Sequence, residues 1–201
     1  MPTHFGMVKE FHLTYGLPIR TEPKIPEEKE VTLRIDLDEE ELEEYAEADG
    51  ENDLVEVADA LTDFLYVIYG QGLVYGINLD RSYVQIPEIN PHLPSETLRD
   101  SYIRLLEKNM ENLIDAHVKG INEVKIQLDA TLDNIYWVGQ QYGIDLDACF
   151  KEVHRSNMSK LGTDGKPIYR ADGKVLKGPN FTPPDLKRVL NISSDETTEV
   201  K

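Results

Sequence analysis

The sequence predicts an all-α protein with a four-helix-bundle core and a small extended appendage near its C-terminal end. Three observations support this class. Four long segments carry apolar residues at helical spacing, short stretches rich in Gly, Pro, Asp and Asn separate them, and a helical pattern occurs twice. The 201 residues suffice for one domain, which we expect to span residues 1–190, with a flexible tail at 191–201.

The first half of the chain contains three predicted helices. A short helix at 8–15 is ended by Gly16, and a proline-punctuated connector follows it. The first long helix is expected over 31–48. Asp53 is an N-cap candidate for the second, over 54–75, because an Asp side chain accepts hydrogen bonds from the first free backbone N–H groups of a helix.

The second half begins with a proline-rich, irregular stretch at 81–94. Helices are then predicted over 96–119, 121–142 and 146–161. Two Asp-Gly pairs flank the short extended runs 166–170 and 174–177, a pattern typical of a β-hairpin. A proline-started coil and a short helix complete this part, up to residue 190.

An internal repeat connects the two halves. Residues 59–66 (DALTDFLY) are echoed by 129–136 (DATLDNIY), and 75–80 (YGINLD) by 142–147 (YGIDLD). We interpret this as a duplicated helical hairpin, residues 29–80 and 96–147; the alternative is chance similarity between amphipathic helices. The second copy has lost acidic residues, since Lys108, Asn109 and Asn112 stand where the first has Glu40, Glu41 and Glu44. We therefore expect the second hairpin to be a scaffold.

Composition excludes several functional classes. The formal net charge of −17 argues against general binding to a nucleic-acid backbone, which needs a basic surface. The single cysteine, Cys149, cannot form an intramolecular disulfide or a thiolate zinc cluster. No apolar run approaches the roughly 20 residues of a membrane span. We therefore expect a soluble, cytoplasmic protein that binds neither nucleic acid nor membrane.

Charge is distributed unevenly along the chain. Residues 26–70 hold seventeen carboxylates against two basic side chains, whereas residues 151–190 have a net positive charge. This pairing suits a polyanion that is bound by metal cations on one side and by lysines and arginines on the other. Neutralisation of one part of the fold by the other is the alternative.

The acidic residues of the first hairpin form two helical arcs. Glu40, Glu41 and Glu44 lie within about 100° on a helical wheel, and Glu56, Asp59 and Asp63 within about 60° on the next helix. Antiparallel helices joined by a short loop let the arcs face each other. Because several inward carboxylates repel one another, the pattern predicts a divalent cation, and oxygen ligands favour Mg²⁺ or Mn²⁺. A solvated acidic helix face is the alternative.

These motifs resemble a known superfamily. Glu40-Glu41-x-x-Glu44, followed by an Asp-bearing helix that continues as 63–70 (DFLYVIYG), is similar to the all-α nucleoside triphosphate pyrophosphatases: MazG-like proteins, dimeric dUTPases and phosphoribosyl-ATP pyrophosphohydrolases. Residues 11–20, 152–160, 164–170 and 172–181 resemble a MazG-like branch of bacteria and phages. The family motif Glu-x-x-Asp is altered here, because Ala60 occupies its Glu position. Asp59 or Glu56 would supply the missing oxygen.

The resemblance implies hydrolysis of a nucleoside triphosphate between the α and β phosphates, with Mg²⁺, or alternatively Mn²⁺, as cofactor. Glu41, or its neighbour Glu40, is the candidate general base. The implied metal ligands are Glu40, Glu41, Glu44, Glu56, Asp59 and Asp63. The implied substrate-binding residues are His154, Arg155, Asn157, Lys160, Lys174 and Lys177. Trp137 and Tyr136 are candidates for stacking on the base, although core packing is the more common role of such aromatics.

Two other functions stay open at this point. A phosphoribosyl-nucleotide pyrophosphohydrolase of the same superfamily would differ only in its substrate. A non-catalytic acidic helical protein would instead bind a basic partner through its surface charge. In either case a homodimer is compatible with the sequence, but pairing of the two hairpins within one chain would complete the four-helix core without it.

Overall fold

The structure is a computed structural model and describes residues 3–80 and 91–192. This part of the chain forms seven helices: α1 (His4–Thr14), α2 (Glu28–Gly50), α3 (Leu54–Tyr75), α4 (Glu96–Lys119), α5 (Ile121–Gln141), α6 (Leu146–Met158) and α7 (Leu186–Val189). The all-α class is confirmed, and α3 and α4 have the predicted bounds. The predicted irregular stretch at 81–94 and the predicted tail lie mostly outside the described residues.

Helix ends follow local capping chemistry. Asp53 accepts from the backbone N–H groups of Val55 and Glu56 at 3.0 and 3.2 Å, which confirms the predicted N-cap of α3. Helix α1 starts four residues earlier than expected, where Thr3 caps it. Helix α2 extends three residues further toward the N-terminus, and Glu28 and Glu30 in its first turn favour that extension through the helix dipole.

Two helical hairpins, α2–α3 and α4–α5, pack together into one four-helix core. Helix α2 packs on α4, and α3 packs on α5. Helices α1 and α6 also pack on α3, which is why most residues of α3 are buried. The intrachain pairing of hairpins expected from the sequence is therefore present.

A buried polar network joins the two hairpins at one end of the bundle. The Tyr142 hydroxyl donates to Asp49 Oδ1 at 2.5 Å and also bonds to the Tyr45 hydroxyl at 2.9 Å. Arg99 Nη1 lies 3.1 Å from Asp49 Oδ1 and donates to the Asp49 carbonyl at 2.6 Å. This network connects the end of α2 with the start of α4 and the end of α5.

The appendage is an extended turn. Tyr169 and Val175 form an isolated antiparallel bridge, and the Arg170 N–H donates to the Lys174 carbonyl at 2.8 Å. Gly173, at φ +101°, provides the left-handed turn residue. The extended runs thus pair where the sequence predicted a hairpin. In the described ranges, no helix has the length and apolar character needed to cross a membrane.

Candidate active site

Carboxylates of α2 and α3 face each other in the first hairpin. Glu41 is buried, and its Oε2 atom has no hydrogen-bond partner. Burial, followed by the charges of Asp63 and Glu44, raises the pKa of Glu41 to about 10. The two acidic arcs therefore converge, as the helical spacing predicted.

Asp59 and Asp63 stand on the α3 side of this cluster. Burial and the charge of Asp63 raise the pKa of Asp59 to about 7, and the Oδ1 atom of Asp59 has no partner. Burial also raises the pKa of Asp63, against the opposing effect of Lys160. Glu44 is more exposed, but burial and Asp63 still raise its pKa. The charge of Asp63 thus raises the pKa values of its neighbours Glu41, Glu44 and Asp59.

Three lysines from the C-terminal part of the chain approach the cluster. Lys174 Nζ lies 2.5 Å from Glu40 Oε2. Lys177 lowers the pKa of Asp59 and of Asp63. Burial lowers the pKa of the Lys160 ammonium, which also lies in the field of Asp63. The site therefore combines desolvated carboxylates with ammonium groups that can bind phosphate oxygens.

Asn157 joins α6 to this site. Its side chain lies near Asp63 and Tyr66 and lowers the pKa of both groups, against the larger effect of burial. Its backbone carbonyl accepts from the Tyr15 hydroxyl at 2.9 Å. The contact with Asp63 stabilises the charged form of that carboxylate. Asn157 thus lies at the site where the sequence placed it, beside the α3 carboxylate.

Two predicted substrate-binding residues have other partners in the structure. His154 Nδ1 lies 3.0 Å from the Tyr66 hydroxyl, and its Nε2 lies 3.5 Å from a carboxylate oxygen of Glu10. Arg155 binds Glu152 Oε1 and the Pro183 carbonyl, both at 2.8 Å. The structure therefore brings Asn157, Lys160, Lys174 and Lys177 to the carboxylates but directs His154 and Arg155 into contacts that hold α6 and the following loop.

The side chains of this cluster offer oxygen ligands, which are the kind that a hard divalent cation prefers. These ligands are carboxylate oxygens, two of which, on Glu41 and Asp59, are buried and unpartnered. Within residues 3–80 and 91–192, no three His, Cys, Asp or Glu side chains already surround one point as metal ligands, so binding would require rotamer changes. Asp59 is half-buried while Glu56 is exposed, which favours Asp59 as the substitute for the family Glu at Ala60.

A second buried polar cluster, which the sequence did not reveal, lies one turn away. Asp38 is fully buried, and its Oδ2 atom accepts a hydrogen bond from Gln71 Nε2. Burial raises the pKa of Asp38 well above its usual range, and Arg34 opposes this. The spacing of Arg34, Asp38 and Glu41 on one face of α2 was the available signal, but Asp38 lies within a run of acidic residues that hides it.

The second hairpin differs at the corresponding positions. Asn109, which corresponds to Glu41, is buried and accepts from Asn134 Nδ2 at 3.1 Å. Asp129, which corresponds to Asp59, pairs with Lys125 at 2.7 Å. Amides and surface ion pairs thus stand where the first hairpin has desolvated carboxylates. The division of labour between the two hairpins stays a prediction.

Comparison with known proteins supports the family resemblance that the sequence motifs indicate. Residues 8–90 match the family described as phosphoribosyl-ATP pyrophosphohydrolase. The uncharacterized protein L479 of Acanthamoeba polyphaga mimivirus is 38% identical over 180 residues, which cover 79% of this chain and 71% of that protein. The crystal structure of a proposed NTP pyrophosphohydrolase from Exiguobacterium sp. 255-15 is 23% identical, with a TM-score of 0.44 over 94% of this chain and 92% of that one. The family match supports an enzyme of pyrophosphohydrolase type. The chain belongs to the all-α nucleoside triphosphate pyrophosphohydrolase superfamily, which includes the phosphoribosyl-ATP pyrophosphohydrolases and MazG-like proteins.

Proposed function

We propose that this protein hydrolyses a ribo- or deoxyribonucleoside triphosphate to the monophosphate and pyrophosphate in a Mg²⁺-dependent reaction. The observation that carries the proposal is the convergence of desolvated carboxylates with Lys160, Lys174 and Lys177. Desolvated neighbouring carboxylates repel one another unless cations neutralise them, and the lysines alone do not restore their usual pKa values. A metal-bound triphosphate supplies both the cation and the anion that such a site lacks.

The residues of the cluster would bind the metal ion and the phosphates. Glu41, Glu44, Asp59 and Asp63, with Glu40 at the edge, would hold the divalent cation. When bound there, Mg²⁺ or Mn²⁺ would offset phosphate charge and lower the pKa of a bound water. Ammonium groups of the three lysines would bind phosphate oxygens.

Glu41, or alternatively Glu40, would accept the proton of the attacking water. Glu41 is suited to this role because its buried position lets its proton affinity change strongly with the charge around it. Glu40 is already paired with Lys174. The attacking water adds to phosphorus, the bond between the α phosphate and the pyrophosphate breaks, and the leaving pyrophosphate remains in contact with the lysines.

A second substrate class deserves a direct test. The family match is to phosphoribosyl-ATP pyrophosphohydrolases, which favours phosphoribosyl-ATP as the alternative substrate. Both reactions break the same kind of anhydride bond and release pyrophosphate, so the carboxylate cluster serves either. The difference would lie in the residues around the nucleoside.

A non-catalytic, partner-binding role fits the structure less well. Electrostatic docking needs exposed charge, whereas Glu41 is buried and Asp59 and Asp63 are half-buried. In such a protein, EDTA and Mg²⁺ would leave thermal stability unchanged. A metal-binding site would instead gain stability when Mg²⁺ is added.

The function is tested by measuring pyrophosphate release from the eight common ribo- and deoxyribonucleoside triphosphates and from phosphoribosyl-ATP. Each assay is run with Mg²⁺, with Mn²⁺ and with EDTA. We expect metal-dependent release of pyrophosphate from at least one triphosphate and none with EDTA. Release from phosphoribosyl-ATP alone would favour the alternative substrate, and absence of release from all nine would contradict the proposal.

A further inference from the structure

An aromatic ring borders the proposed phosphate site. Lys177 Nζ lies 4.9 Å from the centroid of the Phe181 ring, in a cation–π contact. The same ammonium lies near Glu44, Asp59 and Asp63, and its positive charge partly offsets the rise in their pKa values that burial causes. One lysine side chain therefore spans the short distance between the carboxylate cluster and this ring.

The chain holds Phe181 in a fixed position. Its N–H donates to the Gly178 carbonyl at 3.0 Å, and the Gly178 N–H donates to the Lys160 carbonyl at 3.1 Å. A Cβ atom at Gly178 would lie 2.4 Å from the Leu161 carbonyl oxygen, so the close approach requires glycine. The Thr182 N–H also donates to Ser159 Oγ at 2.8 Å. The backbone that carries the ring is thus anchored to the end of α6, beside Lys160.

The aromatic residues singled out from the sequence lie elsewhere. Trp137 packs edge-on against Tyr102 in the second hairpin, with ring centroids 5.3 Å apart. The Tyr136 hydroxyl bonds to His4 and to Tyr69 at 2.7 and 3.0 Å. Neither contact involves the carboxylates or their lysines. Phe181 is half-buried and contacts the ammonium of Lys177.

We propose that Phe181 is the stacking platform for the nucleobase of the substrate. This inference rests on the proposed function, because a triphosphate held by the carboxylates and lysines must place its base beside them. Before substrate binds, the ammonium of Lys177 contacts the ring. On binding, that ammonium turns toward the phosphates, and the flat base stacks on the ring.

The chemistry of the ring also predicts its selectivity. Phenylalanine has no hydrogen-bonding group, so stacking on it tolerates every base. Phe181 should therefore contribute to the affinity for nucleotides in general. Discrimination between bases would come from other, hydrogen-bonding residues.

Isothermal titration calorimetry with two probes tests the platform. One probe is the α,β-methylene analogue of a nucleoside triphosphate, and the other is inorganic triphosphate, which has no base; both are used with Mg²⁺. We expect Phe181→Ala and Phe181→Leu to weaken the nucleotide analogue by about tenfold or more. Binding of inorganic triphosphate should stay within about twofold, and Phe181→Tyr and Phe181→Trp should retain nucleotide binding.

Trp137→Ala is the matched control, since it removes a large exposed aromatic that lies in the second hairpin. It should change neither affinity. Phe181→Leu keeps the apolar packing if Phe181→Ala fails to fold, and circular dichroism monitors both variants. Equal weakening of both probes, or unchanged nucleotide affinity, would overturn the platform while leaving the proposed function intact. Wild-type protein that binds neither probe would overturn both.

Discussion

Lys174 Nζ lies 2.5 Å from Glu40 Oε2, and this ion pair connects the extended appendage with helix α2 across 134 positions of sequence. Burial and neighbouring carboxylates raise the pKa values of Glu41 and Glu44, and the positive charge of Lys174 partly offsets this rise. The acidic hairpin and the basic C-terminal part therefore form one electrostatic unit. The same lysine is well placed to transfer from a carboxylate to a phosphate oxygen.

This placement leads to a prediction about substrate affinity. Changing Lys174 to Met, or Lys177 to Met, should raise the KM for the preferred triphosphate by about tenfold, because each change removes an ammonium that would bind phosphate. Thermal stability should change little, because neither residue belongs to the hydrophobic core. The loss of one attractive contact with the carboxylates is a small effect by comparison. Steady-state kinetics and thermal melts measure the two effects separately.

Lys166→Met is the matched control for this experiment. Lys166 is an exposed lysine of the same appendage, and it is not among the main charges that act on Glu41 or Asp63. Its replacement should leave KM unchanged. If all three variants behave alike, the effect is a general one of surface charge, and the phosphate role is wrong.

The raised pKa of Glu41 predicts how stability depends on pH. In the unfolded chain this carboxyl titrates near its ordinary pKa of about 4, whereas in the metal-free fold it keeps its proton up to about pH 10. The folded state therefore binds more protons than the unfolded state, and the free energy of unfolding falls as pH rises. One such group gives a slope of about 1.4 kcal/mol per pH unit at most.

Denaturant unfolding between about pH 7 and about pH 8.5, in EDTA, measures this slope. The range avoids His12, whose pKa burial lowers to about 4 and whose opposite contribution is complete above its unfolded pKa of 6.5. Glu41→Gln should reduce the slope and raise stability at the upper end of the range, because it removes the charge that burial penalises. Added Mg²⁺ should reduce the wild-type slope as well. A slope that Glu41→Gln leaves unchanged would refute the assignment to this carboxyl.

Much of this site could be predicted because it depends on local periodicity. The spacing of Glu41 along α2 and of Asp59 and Asp63 along α3 fixes their helix faces, and a short antiparallel connection brings the faces together. Asp53 showed its role through the chemistry of its side chain at a helix start.

Other features depend on contacts between distant parts of the chain, which periodicity does not encode. The Lys174–Glu40 pair is one example, and the Tyr66 and Glu10 partners of His154 are another. The burial of Gln71 could not be predicted, because a polar residue on a helix is expected to be exposed unless its buried partner, here Asp38, is known. Charge composition predicted that the acidic and basic parts would meet, but not which lysine would reach which carboxylate.

The buried network between the hairpins predicts a large effect on stability. Arg99 and Asp49 are both buried, and Arg99 also donates to Asn52 Oδ1 at 2.9 Å. Arg99→Met should destabilise the fold by about 3 kcal/mol or more, because it leaves a buried carboxylate without its cation. Asp49→Asn should partly rescue Arg99→Met in a double-mutant cycle. Denaturant unfolding of the four proteins measures the coupling, and additive effects would show that the pair is not coupled.

The two hairpins offer a matched test of which one carries the chemistry. Asp63 and Asp133 occupy corresponding positions, but Asp63 lies among desolvated carboxylates and lysines, whereas Asp133 is exposed and the neighbouring Asp129 pairs with Lys125. Asp63→Asn should therefore abolish turnover, because it removes a ligand charge of the proposed metal site. The metal-free fold should remain intact or become more stable, because one of several repelling charges is lost.

Asp133→Asn should leave turnover within about twofold of wild type, because the second hairpin has too few carboxylates for a magnesium cluster: Asn109 replaces one, and Asp129 is paired with Lys125. Titration with Mn²⁺, followed by electron paramagnetic resonance, should give the same stoichiometry for Asp133→Asn as for wild type and a lower one for Asp63→Asn. Equal loss of activity from the two substitutions, or a second set of Mn²⁺ sites that only Asp133→Asn removes, would mean that both hairpins bind metal. The division of labour between them would then be wrong, even if pyrophosphate release were confirmed.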